Sequence, residues 1–414
     1  MKQITAVVIG YGNRGGVYCC YQEKAPKDFK VVGVVDRDAV KVRLCRERYE
    51  IPEDRCFSSV EELLHREKLA DVAMVCTDDQ DHVSQAIALM KHGYDLLLEK
   101  PVAVNLEDCL LIRDTAEELG RSVLVGHVLR YTVFFQKLKE LIDSGAIGRV
   151  IQFNQIENVG YWHYAHSYVR GNWRNSQTSA PMILTKCCHD LDLLNWMIGE
   201  KCERLTSFGS LSYFKEENKP EGSAERCINC TVDCPYNAYK FYYQHHFVMK
   251  SNTGWPVNVI TPIPTKSSIF DALRNGPYGR CVFLCDNNVV DHQVVNMRFA
   301  GGVDATLTMS AFTAETYREV KIMGTLGEII ANMESNRIQV NLFSKKSYQI
   351  DVARLTDDFS FHAGGDHRLM ADLITMMRGG KSQTLTSIEK SIESHVMAFA
   401  AEESRINGGQ PVLL

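Results

Sequence analysis

The chain has 414 residues, 45% hydrophobic and 23% charged, an ordinary globular composition that excludes a disordered or fibrous chain. Its 46 Lys and Arg against 51 Asp and Glu leave a formal charge of −5, which carries no electrostatic footprint for nucleic acid. No apolar run approaches the ~20 residues that span a bilayer, the N-terminus lacks a signal-peptide pattern, and fourteen cysteines without an export signal read as reduced cytoplasmic thiols.

The first third alternates strand and helix signals. Apolar runs at 4–9, 31–35, 72–76, 95–98 and 122–125 read as strands, with helix-period segments at 60–64, 83–91 and 106–119. Fully apolar strands separated by helices mean a parallel sheet covered on both faces, the doubly wound α/β Rossmann pattern. After Gly126 the pattern changes. A helix at 134–144, a strand at 149–158 and a helix running from Lys186 to Gly199 lead to six strand-like stretches between 294 and 352, then helices at 366–377 and 388–405. Clustered consecutive strands suggest a mainly antiparallel, open-faced sheet. The expected division is therefore a Rossmann domain over 1–126 and an α/β domain over 127–414 for substrate binding and oligomerisation. Residues 213–285, rich in Cys, Asn, Pro and Tyr, show no period and read as an irregular insertion.

Gly10-Tyr11-Gly12-Asn13-Arg14-Gly15 follows the first strand and opens a helix, matching G-x-G-x-x-G. Gly10 permits a tight turn, Gly12 lets the backbone approach a pyrophosphate, and Gly15 lets helix and strand pack closely. The second strand ends in Asp36, where a carboxylate bonds the adenine ribose hydroxyls. That carboxylate repels a 2′-phosphate and favours NAD, while the adjacent Arg37 keeps NADP open.

Glu99-Lys100-Pro101 follows the fourth strand, and Thr77-Asp78-Asp79-Gln80-Asp81-His82 closes the third. With the glycine loop, with Gly126-His127 through Arg130-Tyr131, with His189-Asp190-Leu191-Asp192 and with Gly324-Thr325-Leu326-Gly327-Glu328, the chain resembles the Gfo/Idh/MocA family of NAD(P)-dependent sugar and polyol oxidoreductases. The resemblance implies cofactor contacts from the glycine loop, Asp36, Arg37, Thr77, His82, Glu99 and Lys100. It also places Lys100 beside the nicotinamide and the substrate carbinol, where an amine can bond the hydroxyl or the oxygen of the forming carbonyl. His189 is the expected acid/base, since an ordinary imidazole titrates near neutral pH. The family usually carries D-x-x-x-H here, but Thr185 stands where that Asp would be. Lys186 is therefore expected to share the proton relay, and Asp190 or Asp192 to supply the carboxylate neighbour of His189.

The stretch 161–174 interleaves aromatics with His, Asn and Arg, as a sugar pocket requires, because ring faces stack on apolar sugar faces and hydroxyls meet polar tips. His163 and Arg174 are expected substrate contacts, with Arg130, Tyr131 and Asp190 further candidates. Cys227, Cys230 and Cys234 have the C-x2-C-x3-C spacing of three thiolates that could hold a structural zinc with a fourth ligand from His245, His246, Cys281 or Cys285. The expected activity is hydride transfer between a sugar, sugar-derivative or cyclitol carbinol and NAD(P). Transient oxidation leading to elimination or glycoside cleavage, and a non-enzymatic nicotinamide sensor, are the rivals. A cytoplasmic homodimer or homotetramer acting on a small molecule is expected, without nucleic acid or membrane.

Overall fold

The computed structural model describes every residue except Met1, Lys381, Gln383 and Thr384. Six strands, β1 (Ile4–Ile9), β2 (Phe29–Val35), β3 (Cys56–Phe57), β4 (Val72–Val75), β5 (Asp95–Leu98) and β6 (Val123–Val125), form a parallel sheet in the order β3-β2-β1-β4-β5-β6. All four residues of β4 are buried, as a strand with helices on both faces demands. The strand order reverses between β1 and β4, and the loops at their carboxyl ends meet there. That edge is where such sheets bind ligands.

The second sheet has nine strands: β7 (Val150–Asn158), β8 (Cys202–Ser210), β9 (His292–Phe299), β10 (Asp304–Ser310), β11 (Tyr317–Gly324), β12 (Gly327–Asn332), β13 (Arg337–Leu342), β14 (Tyr348–Asp351) and β15 (Val412–Leu413). Their order is β14-β13-β12-β11-β7-β10-β9-β8-β15, antiparallel except for β7 and β10. Alternation sets the two faces. Val295, Met297, Leu307 and Met309 point into the core with Leu191 and Leu194 of the helix Cys188–Ile198, while Val294 and Asn296 point outward.

Two features depart from the expectation. Residues 213–285 are irregular only in their first part: helices Tyr239–Met249, Val257–Ile260 and Lys266–Asn275 close a small core of Cys227, Ala238, Tyr242, Val257, Ile269 and Leu273. The first of these winds in wide π-type turns, so its apolar residues do not recur at the α-helical period. The closing helices also return to the first sheet. Leu369, Met370, Leu373 and Ile374 of the helix Ser360–Met377, and Ile388 and Ile392 of the helix Ile388–Ile406, enter the cores that flank β1 to β6. Among the described residues no helix is long and apolar enough to cross a membrane.

Candidate active site

The glycine loop is shaped by three different constraints. Gly10 has φ +87°, and a Cβ there would lie 2.7 Å from the Cys76 carbonyl oxygen. A Cβ on Gly15 would lie 2.1 Å from the Gly10 carbonyl oxygen. Gly12 faces open space and caps the helix Asn13–Cys19, leaving its backbone accessible to a phosphate. Asp36, at the end of β2, accepts the Tyr11 N–H and the Asp38 N–H, each at 2.8 Å. Each oxygen keeps a lone pair for a ribose hydroxyl. These residues fit NAD.

The other expected cofactor residues are placed as follows. Arg37 pairs with Asp78 at the surface (2.7 Å), and Thr77 donates to Gln85 (2.7 Å). His82 is buried, its Nδ1 2.8 Å from the Pro101 carbonyl oxygen, so it braces the Glu99–Pro101 turn from behind. Glu99 accepts hydrogen bonds from Arg14 (2.7 Å) and the Tyr18 hydroxyl (2.5 Å). Burial opposes its ionisation, but Arg14 and Lys100 hold it below the usual carboxylate range. Arg14 also donates to Asp366 of the helix Ser360–Met377 (2.5 Å), and Asp366 Oδ2 lies 2.8 Å from Nδ1 of His362.

At the cleft Lys100 Nζ donates to the Thr185 carbonyl oxygen (2.8 Å) and sits 5.4 Å from the centre of the Trp173 ring. Thr185 stands where the resemblance has Asp, and its backbone carbonyl tethers the lysine. Trp173 is held in turn by Asp79, which accepts from its indole N–H (3.0 Å) and from Ser179 (2.8 Å). His189 lies edge-on to His127, with ring centroids 5.7 Å apart, and 6.5 Å from the ring of His362. Burial first, then Lys100, pushes His189 well below the ordinary imidazole range. Its Nδ1 and both nitrogens of His127 are buried without a hydrogen-bond partner among the described residues, Asp192 lying 3.9 Å from His127 Nδ1. Lys186 pairs with Glu157 of β7 (3.0 Å), which also pairs with Arg318 of β11 (2.7 Å).

Several expected contacts are spent inside the protein. Asp192, expected beside His189, instead takes a two-pronged pair from Arg130, both bonds 2.6 Å. Asp190 is fully buried and accepts from Arg318 (2.9 Å) and Gln155 (2.5 Å). Neither gives His189 a carboxylate, because the helix turns both toward buried cations. The Tyr131 hydroxyl meets Thr386 (3.1 Å) inside the core. Arg174 pairs with Asp286 (2.8 Å). His163 is closer to the chemistry: it stacks on Trp162 and meets Trp255 edge-on, with centroids 5.6 and 5.3 Å apart, and burial and then Lys186 keep it well below the ordinary range. His127, Glu157, Arg318, His362 and Asp366 were not expected as site residues. Glu157, Arg318, His362 and Asp366 come from distant elements and carry no local spacing signal, while His127 stands in the Gly126-His127 stretch that carries the family resemblance.

The zinc expectation is corrected. Among the described residues no group of three or more His, Cys, Asp or Glu is arranged to hold a metal ion. Cys227, Cys230, Cys234 and Cys281 line one small cavity with Arg170. Cys227 is engaged by Arg170 (3.4 Å) and by the Arg280 carbonyl oxygen (3.7 Å).

A parallel sheet that carries a glycine loop at its reversal point and Lys100 after its fifth strand, packed against an α/β domain whose helix Cys188–Ile198 carries His189, defines a two-domain NAD-binding oxidoreductase. Residues 4–127 match the oxidoreductase family's NAD-binding Rossmann fold and residues 139–414 its C-terminal α/β domain. The chain belongs to the Gfo/Idh/MocA oxidoreductase family. It is 25% identical over 375 residues to YteT of Bacillus subtilis, named as an oxidoreductase, covering 85% of this chain and 83% of that one. It is 25% identical over 198 residues to inositol 2-dehydrogenase of Salmonella paratyphi B, covering 48% and 55%. Its fold matches an oxidoreductase from Agrobacterium radiobacter solved with NAD+, L-tartaric acid and magnesium, with TM-score 0.71 and 16% identity over 100% of this chain and 98% of the other.

Proposed function

We propose that the chain transfers a hydride between the carbinol of a sugar, sugar derivative or cyclitol and NAD. The observation that carries this reading is the convergence of Lys100 and His189, from different domains, beside an aromatic wall that Trp173 begins and His163 extends. NAD, when bound, supplies the hydride acceptor. With one N–H tethered to Thr185, Lys100 keeps two donors for the reacting oxygen. Neutral His189 accepts the hydroxyl hydrogen. Glu157 and Arg318 fix Lys186 beneath the pocket. Asp36 supports NAD over NADP, and Arg37, paired with Asp78, is drawn away from a 2′-phosphate. The inositol dehydrogenase relative supports a polyol substrate. Fourteen cysteines without a disulfide among them support a reducing, cytoplasmic setting.

The test is NADH formation from NAD+ across a panel of aldoses, sugar acids and myo-inositol. Lys100→Met should lower the rate on the order of 10²–10⁴-fold with NADH affinity near parental. Conversion without net NADH would replace this reading with transient oxidation. Binding of NADH with no conversion at all would leave a sensor.

A further inference from the structure

The helix Ser360–Met377 opens in an unusual way. Phe361, His362 and Ala363 have φ of 21°, 40° and 52°, followed by Gly364 at 77°. Three successive non-glycine residues in left-handed backbone are strained, and such strain clusters at functional sites. Here it swings one imidazole toward the cleft. His362 comes within 6.5 Å, ring centre to ring centre, of His189, and within 3.4 Å of Arg14 in the glycine loop.

The ring is also prepared for proton transfer. Nδ1 of His362 lies 2.8 Å from Asp366 Oδ2. Asp366 is 1% exposed, and Arg14 grips its other oxygen at 2.5 Å. Burial opposes ionisation of this carboxyl, but Arg14 and His362 hold it well below the usual range. An ionised carboxylate only accepts, so its 2.8 Å contact at Nδ1, much closer than the 3.4 Å approach of Arg14 to the same atom, puts the proton on Nδ1 and leaves the Nε2 lone pair free. Among the described residues Nε2 has no partner, and the side chain is 44% exposed. A base oriented by a carboxylate is the arrangement that acid–base sites use on unrelated folds. His189 lacks it. Deeply buried beside Lys100, with no carboxylate partner, it holds a transferred proton poorly.

We propose that the His362–Asp366 pair is the second acid–base group of the active site and the final acceptor of the proton released on carbinol oxidation. This rests on the carbinol reading above. The C–H bond breaks with its electron pair going to NAD+, the O–H bond breaks with its electrons forming the C=O bond, and the proton taken first by His189 passes on to Nε2 of His362. Asp366 balances the resulting imidazolium. Reduction runs the same transfers backward.

Two variants suit the left-handed backbone: His362→Asn and His362→Gly. His362→Asn should lower kcat on the order of 10²–10⁴-fold on the panel member that the parent oxidises, with NADH affinity within about twofold. Added imidazole should restore His362→Gly at least about tenfold and leave the parent unchanged, which a merely structural role would not do. Separately, diethyl pyrocarbonate should modify His362 in the free protein, and saturating NADH should shield it, while His292 on the second sheet stays equally reactive. A His362→Asn rate within about threefold of parental, absence of imidazole rescue, or unshielded labelling of His362 overturns the pair's role and leaves the carbinol reading standing. A parent that oxidises no panel member sinks the carbinol reading and the proton path with it, and the shielding result then shows whether the pair faces the cofactor.

Discussion

Asp36 accepts two backbone N–H groups and has lone pairs left for a ribose, so its removal costs a charged partner and disturbs the turn it holds. Asp36→Ala should weaken NAD binding by about 1–3 kcal/mol, measured by titration calorimetry. Tighter binding of NADP than NAD by the parent would reverse the cofactor preference. Two buried histidines, His127 and His189, and the half-buried His163 set a pH dependence of stability. His127, His163 and His189 are pushed well below their ordinary values, by burial first and then by Arg130, Lys186 and Lys100 respectively. The unfolded chain protonates each near pH 6.5, while the folded protein keeps them neutral. Above about pH 6.5 they carry no penalty. Below it the unfolded state binds more protons, and stability falls by up to about 1.4 kcal/mol per pH unit for each. Calorimetry between pH 8 and 5 should show Tm falling toward acid, with His127→Phe flattening the slope.

Among the elements, β7, β11 and the helix Cys188–Ile198 are locked by charge as well as by packing. Arg318 joins Glu157 and Asp190, all three buried. Arg318→Met would leave buried Asp190 without a cation and Glu157 with Lys186 alone, and should cost about 3–5 kcal/mol in chemical denaturation. The exposed pair Arg298–Asp304 makes the comparison, and Arg298→Met should change stability by no more than about 1 kcal/mol. The alternating and fully apolar strands were legible because their period reports burial directly. Strand β8 was not: it buries Cys202, Leu205 and Ser207 among polar neighbours, a pattern that resembles a loop until β9 pairs with it. The glycine loop and the Glu99-Lys100-Pro101 turn were legible because their chemistry is contiguous. The roles of Arg130, Asp190 and Asp192 were not, because their partners lie far away in the chain.

Taken whole, the molecule is tied together by its last two helices. The helix Ile388–Ile406 places Ile388 and Ile392 in the core of the first sheet and Met397 and Ala401 in that of the second. Ion pairs from Arg14 to Asp366 and from Arg378 to Asp28 add cross-links between the chain ends. The outward face of the nine-stranded sheet carries exposed Val294, Ile330 and Phe208 among Asn, Thr, Lys and Glu side chains. We expect two or four copies to associate through this face. Sedimentation at micromolar concentration should give a multiple of the chain mass, and a single-chain mass would count decisively against it.

Properties carried by contiguous residues were determined by the sequence itself: two sheets of different character, the cofactor loop, the acidic end of β2 and the lysine after β5. Hydrophobic period and glycine spacing are local consequences of backbone geometry, so they survive without the fold. The tertiary structure alone decided which polar groups remain available for chemistry. It turned Asp190 and Asp192 inward to buried cations, supplied Thr185's carbonyl to Lys100, and placed His362 and Asp366 opposite His189. A buried charge is satisfied by whichever partner arrives in space, and that depends on how elements hundreds of residues apart pack together.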